Sequence, residues 1–140
     1  MKMMLNISVL TSLLVAASSP CLAMTQIADI SKERAKELGM GIRSNVSGPD
    51  EFRVWLAFKT EGELTSFSHV ELEITSGERR LVSARLLADR PSPESVVVNF
   101  TADPANLARS TLTVVVQPSE RTRIGYRPKV KDSVELEQSG

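Results

Sequence analysis

The stretch FRVWLAFK, residues 52–59, decides the fold class, because every even position in it carries an apolar side chain. A period of two is the spacing of a β-strand that buries one face. The stretch VELEIT, residues 70–75, repeats the pattern with apolar even positions and polar odd ones. Both stretches therefore predict strands whose even-numbered side chains point into a core.

The same alternation extends toward both ends of the chain, at residues 40–42, 82–88, 96–100, 112–116 and 124–130. Residues typical of turns separate these segments, at 47–50, 76–78 and 90–93. About seven short strands with turns at near-regular spacing predict an all-β fold, an antiparallel sandwich of two sheets. A small closed barrel is the alternative.

This arrangement resembles the immunoglobulin-like and fibronectin-like β-sandwich in architecture. The chain lacks two features of such domains, a cysteine pair and a tyrosine near the start of the predicted sixth strand. The resemblance implies a sandwich and carries no functional residue with it.

Residues 1–23 have the three parts of a secretory signal peptide. Lys2 supplies the positive charge, residues 5–17 the apolar core, and Cys21-Leu22-Ala23 the small residues before a cleavage site. We therefore expect cleavage between Ala23 and Met24, and a secreted or periplasmic protein.

Two alternatives apply to this leader. Its apolar stretch is shorter than the ~20 residues of a membrane-spanning helix, which disfavours an uncleaved anchor. Acylation of Cys21 is disfavoured by Pro20, which stands where a lipoprotein signal has a small residue. We expect no transmembrane segment in the mature protein.

The sequence predicts four segments. The signal peptide (1–23) precedes a polar segment with a short helix (24–38), which Ser31 caps and Gly39 ends. The β-sandwich domain follows at 39–132, and residues 133–140 form a C-terminal tail. A second helical turn is expected at 104–109, after the capping pair Asp103-Pro104.

Charge and cysteine content exclude several classes of function. The chain has 17 basic and 17 acidic residues, and since Lys2 is the only charged residue of the leader, the mature net charge is −1. Bulk charge therefore recruits neither nucleic acid nor an anionic membrane. The only cysteine leaves with the leader, so we expect no disulfide, no thiol chemistry and no cofactor.

A row of basic residues is the main candidate binding site. Its members all occupy odd positions of the last predicted strand and would share one face: Arg121, Arg123, Arg127, Lys129 and Lys131. Such a row would bind an anionic polymer carrying phosphate, sulfate or carboxylate groups. The alternative is that Pro128 marks an edge strand, on which basic side chains prevent another chain from adding a strand.

Trp55 is the second candidate. It lies on the odd face of its strand, where an exposed indole would stack on a sugar ring or anchor a partner. The alternative places it in a second apolar layer under the N-terminal helix.

The residues for catalysis or metal binding are few. His69 is the only histidine, and without cysteine it would have only scattered carboxylates to share a metal with. Glu71 and Glu73 lie on one strand face at ~7 Å, which is near the spacing of glycosidase carboxylates, but pairing with Arg85 across the sheet explains them equally well. We predict no catalytic residue and no metal site.

These observations predict an exported, non-enzymatic β-sandwich that acts as an interaction or envelope-associated module. A binding protein for an anionic glycan or similar polymer is the second hypothesis, and a small hydrolase ranks last.

Overall fold

The computed structural model describes residues 24–133, 135 and 136. The predicted signal peptide, including Ala23, and most of the predicted tail lie outside the described residues. In chain order the strands are β1 (Met24–Ile30), β2 (Met40–Gly48), β3 (Glu51–Lys59), β4 (Phe67–Ser76), β5 (Arg79–Leu86), β6 (Ala88–Ser92), β7 (Ser95–Ala102), β8 (Ser110–Ser119), β9 (Thr122–Pro128) and β10 (Glu135–Leu136).

These strands form two five-stranded sheets that pack face to face. Sheet A has the order β1-β9-β8-β4-β5, and sheet B has the order β10-β2-β3-β7-β6. The two separate orders confirm a sandwich and not the closed barrel.

The core lies between the even faces of the strands, as the alternation predicts. Val54 and Val70 are fully buried, and both belong to the two stretches that decide the fold class. Leu56 pairs with Val98 within sheet B, and Leu72 pairs with Leu112 within sheet A. One apolar layer therefore joins the centres of both sheets.

Short helices close the ends of the sandwich. They are α1 (Lys32–Glu37), α2 (Pro104–Ala108) and α3 (Val130–Ser133), with a 3₁₀ turn at Gly62–Ser66. The Ser31 side chain accepts a hydrogen bond from the backbone N–H of Arg34, and the Asp103 side chain accepts one from Asn106. Gly39 follows α1 with a φ of 76°, a left-handed conformation that glycine adopts without strain.

The strand count and the pairing differ from the prediction. The described residues hold ten strands where about seven were expected, because β1 and β10 carry no strong alternation and residues 79–92 form two strands. The sandwich is also not wholly antiparallel, since β1 pairs in parallel with β9 and β10 in parallel with β2. Residues 24–30, expected to be a polar segment ahead of the sandwich, are thus one of its edge strands.

The strand that carries Pro128 is not an edge strand, so the edge interpretation of the basic row is wrong. β9 lies between β1 and β8, and its residues from Thr122 to Pro128 pair with Met24 to Ile30 of β1. Pro128 is the last residue of β9 and lies beyond the residues that pair with β8, so its missing N–H interrupts no pair with that strand.

Candidate functional site

The basic row is divided by the end of β9. Arg123 and Arg127 lie on the outer face of sheet A, whereas Lys129 follows the strand and Lys131 lies in α3. Arg121 is in the turn before β9 and is exposed. The five basic residues therefore do not form one row, because the period of two stops at Pro128.

Three of these residues nevertheless line one cavity. Arg127, Lys129 and Lys131 surround a shallow space of about 280 Å³ together with Asp29, Ser110 and Thr111. We call this set of residues the basic pocket. Its three cations, hydroxyl groups and single carboxylate are chemically suited to an anionic ligand.

Arg127 is already engaged inside the basic pocket. Its guanidinium donates hydrogen bonds to both carboxylate oxygens of Asp29, and the contact from Nη2 to Oδ2 is 3.1 Å. This bidentate pair lowers the pKa of the Asp29 carboxyl, chiefly through the hydrogen bond from Arg127. An anion entering the pocket would meet Lys129 and Lys131 as its exposed cations.

Trp55 lies on the other side of the molecule. It is half-buried on the outer face of sheet B, where it is paired with Arg43 of β2 and Asn99 of β7. Since the basic pocket belongs to sheet A, the two candidate sites from the sequence do not come together.

His69 on β4 has a side-chain hydrogen-bond partner at each ring nitrogen. The ring Nδ1 lies 2.9 Å from Ser68 Oγ, and Nε2 lies 2.7 Å from Glu71 Oε1. His69 is buried, and Glu71 on the same strand is a hydrogen-bond partner of its ring. The residue types and the two hydrogen bonds are those of a Ser-His-acid triad, but none of the three residues lines the basic pocket.

The two glutamates of β4 have separate partners. Glu71 is opposite Arg85 of β5 in the strand register, and Glu73 forms an ion pair of 2.8 Å with Arg80. In the part of the chain that the structure describes, no three His, Cys, Asp or Glu side chains are grouped to hold a metal ion. No helix within residues 24–133 has the length and apolar character to cross a membrane.

A second surface, which the sequence did not reveal as a site, is the side of the sandwich formed by β5, β6 and Leu87 between them. We call it the open edge (residues 79–92). Both strands end their sheets, and their only strand partners in the described chain are β4 and β7. Leu81, Val82 and Leu87 are 46%, 41% and 93% exposed there.

The exposed side chains of β5 include ones that face inward. Val82 pairs with Ile74, and Ala84 pairs with Leu72, so both lie on the core side of sheet A. They were predicted to be buried, but the opposite sheet does not cover them. Leu86, the next residue on that side, is half-buried against the core.

The structure of β6 explains why the inward face of β5 is not covered by sheet B. Every residue of Ala88–Ser92 is exposed, and the pairing with β7 is interrupted between Asp89 and Ser92. The Arg90 guanidinium turns back over the Phe67 ring at 5.3 Å from its centroid. A short, proline-containing edge strand thus leaves the inward face of β5 open to solvent.

Comparison with known proteins adds no assignment: no family model matches the chain, and no curated protein matches it significantly.

Proposed function

We propose that this protein is an exported, non-enzymatic interaction module that binds a protein partner at its open edge. The observation that carries the proposal is the exposed inward face of β5, where Val82 and Ala84 lie on the core side of a sheet without cover. A partner that supplies apolar side chains there would complete the core and gain the hydrophobic free energy that the isolated chain lacks.

Export is the second part of the proposal, and the pattern of residues 1–23 supports it. Mass spectrometry of the product found outside the cytoplasm tests this part. We expect an N-terminus at Met24. A protein that keeps residues 1–23 and stays inside the cell contradicts export. An N-terminus at an acylated Cys21 would show lipidation in place of cleavage before Met24. An immunoglobulin-like or fibronectin-like architecture belongs to the same proposal, supported by the two packed sheets.

The binding test is a capture experiment with two matched variants. Ala84→Lys places a charge on the exposed inward face of β5, and Lys129→Glu changes a residue of the basic pocket. We expect the wild type and Lys129→Glu to recover the same specific protein from the exported fraction, and Ala84→Lys to lose it. Equal recovery by all three proteins contradicts binding at the open edge.

An anion-binding protein is the second candidate, and the convergence of Arg127, Lys129 and Lys131 on one cavity favours it. Retention on a heparin column, measured as the salt concentration of elution, tests it. The double variant Lys129→Glu/Lys131→Glu should elute at lower salt, whereas Arg121→Glu, outside the pocket, should elute like the wild type. Equal shifts for both variants would indicate attraction by overall charge alone.

A further inference from the structure

The described chain has four edge strands to which another strand could add. Of these, β5 is the most suitable in length, regularity and exposed apolar surface. β10 spans two residues, and β6 contains Pro91 and an interrupted register. β1 presents Gln26, Ala28 and Ile30 on its inward side, and Ile30 is already buried, so little apolar surface is left to cover. β5 spans eight residues and presents the inward side chains of Val82, Ala84 and Leu86.

Charge on β5 selects the kind of strand that can be added. The strand carries Arg79, Arg80 and Arg85 and no acidic residue. These cations oppose the addition of a second copy of β5, since like charges on paired strands destabilise the pair. A strand that alternates apolar and acidic residues would place apolar side chains inward and carboxylates beside the arginines.

The chain contains such an alternating sequence twice. β4, the native partner of β5, has the sequence VELE at residues 70–73, and the same four residues recur at 134–137. In β4 they pair with Leu86, Arg85, Ala84 and Ser83 in that order. In the same register on the free side of β5, Glu135 would be opposite Arg85 and Leu136 opposite Ala84.

The C-terminal copy has a partner in its own chain. Of its four residues, only Glu135 and Leu136 are described, and they pair in parallel with Arg43 and Ser44 of β2. Addition to β5 would replace this parallel pairing by an antiparallel one, which is slightly more stable per residue.

We propose that the segment 134–137 of a second copy of this chain adds to the open edge as an antiparallel strand beside β5. This inference rests on the proposed interaction function and names its partner. Reciprocal exchange closes a dimer, and one-way exchange produces longer assemblies. In both, Val134 and Leu136 of one copy cover the exposed inward face of β5 in the other.

Sedimentation analysis of the protein produced from the full-length chain, over a range of concentrations, tests the proposal. We expect a concentration-dependent species larger than the monomer. Leu136→Ser should weaken association by about tenfold or more, because it removes an apolar side chain that strand addition would bury. Ile27→Ser changes an exposed apolar residue on β1, at the opposite edge of sheet A, and should leave association unchanged.

A charge exchange separates strand addition from a loss of folding. Arg85→Glu and Glu135→Lys should each weaken association by about two- to fivefold. The double variant should associate more tightly than either single variant, because it restores an opposite-charge pair with reversed signs; the comparison with Arg85→Glu alone cancels the like charge that this substitution sets opposite Glu71. A double variant weaker than either single one overturns the proposal, as does equal weakening by Ile27→Ser.

The result also distinguishes this inference from the proposed function. A wild type that remains monomeric at all concentrations overturns strand addition by a second copy. If that monomer still captures a different protein, and Ala84→Lys abolishes the capture, the interaction function stands with another partner. If Ala84→Lys captures the same proteins as the wild type, both strand addition and the proposed interaction function are contradicted.

Discussion

Tyr126 donates a hydrogen bond from its phenol group to Glu63 Oε2, at 2.6 Å. This contact joins β9 of sheet A to the 3₁₀ turn that leads into β4. Arg34 of α1 binds the other carboxylate oxygen of Glu63 at 2.7 Å. Three segments that are distant in sequence thus meet at one carboxylate, which fixes the N-terminal helix against the end of the sandwich.

The first prediction concerns the ionisation of Tyr126. Burial, followed by the hydrogen bond to Glu63, raises the pKa of this phenol from 10.0 to about 12. Tyr126 is the only tyrosine, so its absorbance change can be followed without interference from another phenol. We expect a titration midpoint near 12 for the folded protein and near 10.0 in denaturant.

The stability of the fold should follow the same titration. Because the folded pKa is raised, the contribution of Tyr126 is complete below about pH 10 and is lost as the pH rises through about 12. Tyr126→Phe should lower the free energy of unfolding by about 1 kcal/mol at neutral pH and remove this part of the alkaline decline. Urea unfolding of both proteins at neutral pH and near pH 12 measures the difference. An equally large alkaline decline in Tyr126→Phe would show that ionisation of Tyr126 is not its cause.

The second prediction concerns the tight approach of β1 to β9 at Gly125. A Cβ at this position would lie 2.8 Å from Thr113 Cγ2 and 3.3 Å from Ile27 Cγ1. Gly125→Ala should therefore destabilise the protein by about 1–3 kcal/mol, the usual cost of forcing extra atoms into a packed region. Urea unfolding measures the change.

A second substitution checks the cause of that destabilisation. Thr113→Ser removes the methyl group that the new Cβ would meet, so the double variant should recover most of the stability lost by Gly125→Ala. Gly41→Ala serves as the matched control, because nothing lies within 4 Å of a Cβ there. Strict additivity of the two substitutions would show that the clash with Thr113 is not the cause.

The third prediction concerns acid and the pair of Asp29 with Arg127. The pKa of Asp29 is lowered below its ordinary 3.8, so its contribution to stability is present above about pH 4 and is lost as the pH falls through the folded pKa. The side chains are substantially exposed, which limits the effect to less than about 1 kcal/mol. The stability of Asp29→Asn should therefore decline less in acid than that of the wild type.

High salt provides a further check on this pair. Screening weakens interactions between exposed charges, so the difference between Asp29→Asn and the wild type at neutral pH should shrink as salt is added. A difference that is independent of both pH and salt would point to packing by Asp29 and not to its charge.

The fourth prediction concerns the start of α2. Asp103 accepts a hydrogen bond of 2.6 Å from the backbone N–H of Asn106, which the helix cannot satisfy by itself. Asp103→Ala should cost about 0.5–2 kcal/mol of stability, whereas Asp103→Asn keeps a capping oxygen and should cost little. Equal losses in both variants, measured by thermal unfolding, would contradict a capping role.

The central strands could be predicted from sequence because their burial is local in origin. β3 and β4 each lie inside a sheet, so one face meets the core along most of the strand and the alternation is complete. The caps at Ser31 and Asp103 were predictable for a similar reason, since each acts within four residues.

β1 could not be predicted, because its position depends on a distant partner. Ile27 points outward and is 51% exposed, whereas Ile30 is buried. Its burial and pairing come from β9, whose Arg127 is 98 residues from Asp29. A local pattern carries no information about such a parallel pair.

The sequence pattern was misleading at both surfaces, for different reasons. For the basic row, the alternation was extended beyond Pro128, where the strand ends. Lys129 and Lys131 were therefore assigned to a strand face, although neither lies in a strand. For the open edge, the alternation gave the correct direction of Val82 and Ala84 but not their exposure. Burial depends on the length of the opposite sheet, which the sequence of β5 does not contain.

The pairing of β1 with β9 also determines when the protein can finish folding. Residues 24–30 leave the ribosome early, whereas their partner at 122–128 emerges after almost all the other strands. Closing a loop of this length costs conformational entropy, so the pair forms late. The final step of folding therefore follows synthesis of nearly the whole chain.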